Sequence, residues 1–103
     1  MRSIRLRPKA EEDIDSHFEF LAASKLQAAD RFLDSVRETL AFIASMTDPG
    51  IVWESDDPSL AGMRFWKVTG FPHHLLFFRA TSDDIDVVRL LHSARDLDSA
   101  IHN

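Results

Sequence analysis

Two helix-period stripes in tandem constrain this chain more than any other feature. Leu26, Ala29, Leu33, Val36, Leu40 and Ile43 recur at alternating steps of three and four, and Asp30, Arg31, Asp34, Arg37 and Glu38 take the positions between. That spacing puts the apolar residues on one face of a helix of about five turns. The helix is predicted to end near Met46, ahead of the turn chemistry of Asp48-Pro49-Gly50. Upstream, Ala10, Ile14, Phe18 and Leu21 form a shorter stripe. Pro8 suits its first position, and Glu11, Glu12, Asp13 and Asp15 lie near its N-terminal end, where the helix dipole favours anions. Ala22-Ala23-Ser24-Lys25 is the predicted break. Two amphipathic helices so closely joined must form a hairpin, and their shared apolar face needs a third layer. The second stripe therefore reads as intramolecular core.

The rest of the chain supplies that layer. Ser3–Arg7 alternates as a short strand, with Ile4 and Leu6 on one face. Met63–Thr69, His73–Ala80 and Ile85–Leu91 are predicted strands, separated by Gly70-Phe71-Pro72 and Thr81-Ser82-Asp83-Asp84. Residues 47–62 read as loop, with Trp53 as an aromatic in a polar connector. A last helix is predicted from Ser93, which has N-cap to N3 spacing with Asp96, and Leu97, Ala100 and Ile101 form its apolar side. The expected fold is α+β in the order β-α-α-β-β-β, a helical hairpin on a mostly antiparallel sheet with a short C-terminal helix. At 103 residues it is one domain, 1–103. The late strands are apolar in both registers, Leu75 and Phe77 against Leu76 and Phe78. A sheet with one wet face alternates more cleanly. The second face is thus expected to be covered by the terminal helix, a twin subunit or a partner peptide.

Composition excludes several chemistries. Without cysteine there is no disulfide, thiolate metal site or cysteine nucleophile, and a reducing cytoplasm is the expected location. With only three glycines there is no phosphate-binding loop, and no cofactor is expected. No apolar run is long enough for a membrane span, and no signal peptide is read at the basic N-terminus. His92 and Asp96, or His73-His74, have poor metal-ligand spacing, so no metal is expected; the histidines read as a hydrogen-bonded corner and an exposed strand start. Asp83, Asp84 and Asp86 read as turn formers, as do Asp56 and Asp57. The net charge of −5 argues against non-specific nucleic-acid wrapping. It is uneven: the second half is neutral, and Arg64, Lys67, Arg79, Arg89 and Arg95 sit within or beside its apolar runs. Such cations either converge on an open face, to bind phosphate or an acidic partner, or bridge to the chain's own acids.

Read as strings, several segments are family-like. Gly62-Met63-Arg64-Phe65-Trp66-Lys67-Val68 resembles the Gly-Leu-Arg-x-Phe-x-Val segment of ParE-type toxins. Leu75-Leu76-Phe77-Phe78-Arg79 resembles their Leu-Ile-Phe-Tyr-Arg strand. The ending from Val88 to Leu97 resembles their Val-Arg-Val-Leu-His-Gly-Ala-Arg-Asp-Leu, and is the most specific part. Residues 8–14 and 28–32 resemble the family's two helices. The resemblance implies a bacterial type II toxin of the RelE/ParE superfamily, often labelled a plasmid stabilisation protein. It implies inhibition of DNA gyrase and neutralisation by a ParD-like antitoxin, whose DNA-binding domain carries a tail that folds on the toxin. Such a tail would account for a two-sided apolar sheet. No direct sequence-specific nucleic-acid binding and no membrane partner are expected.

RelE-type relatives instead cleave messenger RNA on the ribosome. The alternative is then an endoribonuclease using Arg64, Arg89, His92 and Arg95. The chain departs from RelE in having no tyrosine, Asp98, Ser99 and Ala100 on the last helix, and a single lysine in Phe65-Trp66-Lys67. From ParE it departs at Phe78, at Ser93 and in Phe71-Pro72-His73-His74. A non-toxic interaction module is the third reading. No catalytic residue is assigned to the gyrase reading; Arg64, Trp66, Lys67, His74, Arg79, Arg89 and Arg95 are its expected antitoxin- or target-binding residues.

Overall fold

The structure, a computed structural model, describes residues 1–102. Its elements are β1 (Ser3–Leu6), α1 (Pro8–Ser24), α2 (Leu26–Ser45), β2 (Ile51–Val52), β3 (Arg64–Val68), β4 (Phe71–Ala80), β5 (Asp84–His92) and α3 (Leu97–His102), with a 3-10 turn at Pro58–Leu60. The expected α+β architecture holds, with α1 and α2 as a helical hairpin on the sheet. Strand order is β1-β5-β4-β3-β2, so the N-terminal strand pairs with the last one, in parallel. The other pairings are antiparallel.

Several boundaries differ from the sequence reading. The interhelical break is one residue: α1 runs through Ser24, and Lys25 alone is extended, with φ −155° and ψ 109°. Its carbonyl receives the first amides of α2, from Ala28 and Ala29. β2 lies within residues read as loop, because Ile51 and Val52 pair with Phe65 and Arg64. β4 begins at Phe71 rather than His73, since Phe71 pairs with Val68 across the short Thr69-Gly70 turn. The last helix begins at Leu97, and Ser93 is in a turn that the His92 carbonyl closes by accepting the Arg95 amide. Asp96 is therefore not the third residue of a helix begun at Ser93. It precedes the helix, its carboxylate accepting from Ser99 Oγ at 3.1 Å.

Two cores result, one on each side of the sheet. Ala10, Ile14, Phe32, Val36, Leu40 and Ile43 from the helices meet Val68, Leu76, Phe78, Ile85, Val87 and Leu90. Leu26, counted in the apolar stripe, is exposed, whereas Phe32 and Thr39 are buried. The second core joins Leu75, Phe77, Val88 and Leu91 to Leu60, Met63, Ala100 and Ile101, with Trp53, Phe65 and Leu97 packed around it. The chain thus covers the second face itself, with the 53–63 segment and α3. Neither a twin subunit nor a partner's tail is needed to explain strands that are apolar in both registers.

Trp53 is the centre of that cover. Its ring meets Phe65 and Phe77 edge-on, and its Nε1–H donates to Asp98 at 2.8 Å. The other Asp98 oxygen accepts from Ser55 at 2.6 Å. Asp57 accepts from the Ser59 amide, which caps the 3-10 turn, and pairs with His102 at 2.7 Å. The Ser59 and His102 hydrogen bonds hold its carboxyl at about 2. The first half of the covering segment is therefore tied to α3 by the part-buried Trp53 and Ser55 bonds to Asp98 and by the exposed Asp57–His102 pair.

A bulge in β5 decides where its side chains point. Phe77 pairs with Arg89 and Phe78 with Val87, leaving Val88 as the extra residue. Ile85 and Val87 face the helices, but after the bulge it is Leu90 that does so, while Val88 and Leu91 join the second core. One extra residue thus exchanges the faces of everything that follows.

Candidate functional site

The cations do not converge. Arg64 donates to Asp48 at 2.9 Å and to the Pro49 carbonyl at 3.0 Å, securing the turn that leads into β2. Arg79 donates to the carbonyls of Ser59 and Ala61, clamping the covering segment to the sheet. Arg89 is turned inward by the bulge. Its Nε and Nη2 donate to the two Asp13 oxygens at 2.7 and 2.9 Å, and its Nη1 donates to the Ala100 carbonyl at 2.6 Å. Asp13 also accepts the Leu90 amide at 3.0 Å. That amide lies past the end of β1, whose pairing with β5 stops at Val87, so the carboxylate substitutes for a missing strand. One ion pair joins α1, the sheet edge and α3. These three guanidinium groups are committed to the chain's own acceptors. Lys67 and Arg95 are exposed, and Trp66 is half-buried against Phe42.

The residues that do come together surround a cavity of about 600 Å³ between α1 and the end of the β4–β5 pair. Ser16, His17 and Phe20 line it from α1, His74 from β4, Leu90, Leu91 and His92 from β5, and Arg95 from the following turn. The ring centroids of His17 and His74 are 4.1 Å apart, and those of His74 and His92 are 5.2 Å apart. His17 and His74 also contact Phe32 edge-on. His74 is thus not part of an exposed strand start. Only His73 is exposed there, stacked on His92 at 5.8 Å. His92 does act as a hydrogen-bonded corner, its Nδ1 accepting the Ala94 amide at 3.0 Å. Among the described residues no group of His, Asp and Glu has metal-binding geometry.

Burial sets the protonation of this cluster. It disfavours the charged imidazole, and the neighbouring rings of His17, His92 and His73 add repulsion, so His74 falls to about 4. His17 is lowered for the same reasons, burial first and His92 second. The unfolded chain takes up a proton on His74 near the ordinary value of about 6.5, while the folded chain resists until about 4. Stability contributed by neutral His74 is therefore complete above about pH 6.5 and is lost as pH falls toward 4. His74→Leu is expected to flatten the fall of melting temperature across that window. An unchanged slope would place the titration elsewhere.

His17 was missed in the sequence because it lies one position off the Ile14–Phe18–Leu21 stripe. Its signal was the three-residue step from Ile14 and the same step on to Phe20.

The sequence profile of the ParE toxin of the type II toxin–antitoxin system parDE matches residues 4–97. The chain belongs to the ParE toxin family. The match runs from within β1 to the first residue of α3 and takes in α1, α2 and β2 to β5. This ParE family member also resembles a solved chain from the chromosomal ParDE toxin–antitoxin system of P. aeruginosa, with a TM-score of 0.70 and 18% identity. The similarity covers 89% of this chain and 96% of that one, and at such identity it speaks for the fold. No curated protein sequence matches the chain significantly. Among the described residues no helix is long and apolar enough to cross a membrane.

Proposed function

We propose that this ParE family toxin acts by binding DNA gyrase and is neutralised by a ParD-like antitoxin with a DNA-binding domain. Family membership over residues 4–97 carries the reading. The fate of the cations supports a binding action over a cleaving one. A nuclease needs cations gathered around the scissile phosphate beside an acid or base. Here Arg64 and Arg89 are held by Asp48 and Asp13, and neither lines the cavity that His92 shares with Arg95. His92 Nδ1 is occupied by the Ala94 amide. The side chains left for partners include Trp66, Lys67, His74 and Arg95, while Arg64 secures the Asp48-Pro49 turn, Arg79 the covering segment and Arg89 the junction of α1 and α3. The cytoplasm is the compartment in which this reading operates.

The deciding assay is supercoiling of relaxed plasmid by gyrase in the presence of the folded chain, scored also for trapped cleavage complexes. Inhibition relieved by the antitoxin from the adjoining reading frame is the expected result. No inhibition at micromolar excess would overturn gyrase as the target. Cleavage of messenger RNA on translating ribosomes, lost in His92→Ala with its melting temperature preserved, would establish the RelE-type activity instead.

A further inference from the structure

We infer that the cavity walled by His17, His74, His92 and Arg95 is a receptor for a partner polypeptide's carboxylate side chain flanked by apolar residues. The inference deepens the reading of the chain as a partner-bound toxin, and rests on it only in taking the partner to be a polypeptide.

The wall is cationic or proton-accepting on three sides. His17 lies on α1, His74 on β4 and His92 on β5, and Arg95 closes the rim. His73 stacks outside on His92. The acid in the lining, Asp13, is already spent on Arg89 and the Leu90 amide. Arg95 is exposed and makes no ion pair among the described residues. An entering carboxylate would meet one free guanidinium, a strong charge-assisted partner, and imidazoles able to take a proton and donate.

The remaining wall selects the bearer of that carboxylate. Leu90 and Leu91 line the cavity, and the ring of Phe20 stands over it 72% exposed. Large aromatic side chains so exposed beside a concave site are the usual anchors of protein contacts. Asp15, Glu19 and Asp96 are exposed close by in the chain, and the net charge is −5. Those charges oppose a polyphosphate more than a single carboxylate between apolar neighbours.

Proton uptake gives the site a signature. The His17 and His74 imidazoles are held neutral by burial and by the rings around them, and an anion among them reverses that balance. If one ring returns to an ordinary pKa of about 6.5 in the complex, affinity rises about fourfold from pH 7.5 to pH 6.0.

The test is a titration of the full-length chain, followed through its histidine ring resonances. The probe is the capped tripeptide Leu-Glu-Leu, with Leu-Gln-Leu and inorganic phosphate as comparisons. The Glu peptide is expected to move the His17, His74 and His92 signals, and to bind about fourfold more tightly at pH 6.0 than at pH 7.5. The Gln peptide and the Arg95→Gln variant are each expected to weaken binding about tenfold. Arg95 is exposed, so the variant should keep the parent melting temperature. Equal binding of the Gln peptide, an affinity indifferent to pH, or tighter binding of phosphate than of the Glu peptide would each overturn the assignment. The titration uses neither antitoxin nor gyrase, so its failure would leave the toxin reading standing.

Discussion

Asp13→Ala is expected to lower the unfolding free energy by about 3–5 kcal/mol, the range for removing one partner of a buried ion pair. The side chains of Asp13 and Arg89 are 14% and 7% exposed, so little water can replace the lost carboxylate. Two Arg89 donors lose their acceptor at once, and the guanidinium keeps only the Ala100 carbonyl. The Leu90 amide loses its acceptor as well, at an edge where β1 has already ended. A domain of this size is stabilised by about 5–15 kcal/mol in all, so the loss is about a fifth of the total or more. Urea titration should show a midpoint shift, and the melting temperature should fall by at least about 12 °C. The pair Asp13→Leu with Arg89→Met is expected to recover only part of the loss. It removes the unpaired charge but leaves the Leu90 amide and the Ala100 carbonyl without partners. A loss below about 1 kcal/mol for Asp13→Ala would show the pair to be solvent-screened, as surface pairs are.

Gly50→Ala is the second large effect, about 2–4 kcal/mol, from two sources. The backbone there has φ +66°, and a side chain in that region adds about 1 kcal/mol or more. The new Cβ would also lie 2.6 Å from Cζ of Phe78 and 2.7 Å from the Phe65 carbonyl oxygen. Phe78 is fully buried against the helices and Phe65 belongs to β3, so neither can withdraw without disturbing the sheet. Overpacking of that kind adds about 1–3 kcal/mol. Gly70→Ala separates the two sources. It shares a positive φ, +79°, but has nothing within 4 Å of the added atom. It should therefore show the backbone part alone, about 1 kcal/mol. Equal losses at the two sites in denaturant titrations would mean that the turn before β2 yields freely.

Much of the architecture was legible because period and punctuation are local. The α2 stripe and the Pro-Gly turn after it defined a helix within a residue of its observed end. The three late strands were legible as apolar runs, and their two-sided character was a true signal that the second face is covered. What covers it was not legible. Trp53 and Leu60 lie in polar surroundings, and their burial depends on Phe77, Leu91 and Ile101 arriving from elsewhere in the chain. The family resemblance was readable from strings such as Val88–Leu97, since recognition of that kind requires no geometry.

The candidate site was less legible. Five cations in the second half could face a partner or their own acids, and spacing does not distinguish the two. Arg89 shows why: by alternation from Ile85 and Val87 it belongs with the helices, and the bulge at Val88 places it on the other face. A bulge is a property of two strands in register, not of one strand. His17 and His74 lie 57 positions apart in sequence, and only the packing of α1 on the β4–β5 pair brings their rings to 4.1 Å. By itself, then, the sequence determined the helices and the longer strands, their order, the α+β class and the family, because these follow from local periodicity and from short strings, whereas the two-residue β2 exists only by pairing with β3. Tertiary structure decided which cations are spent internally, which histidines share a cavity and what closes the second face. Those outcomes depend on register and long-range packing, where one inserted residue reverses the direction of a side chain.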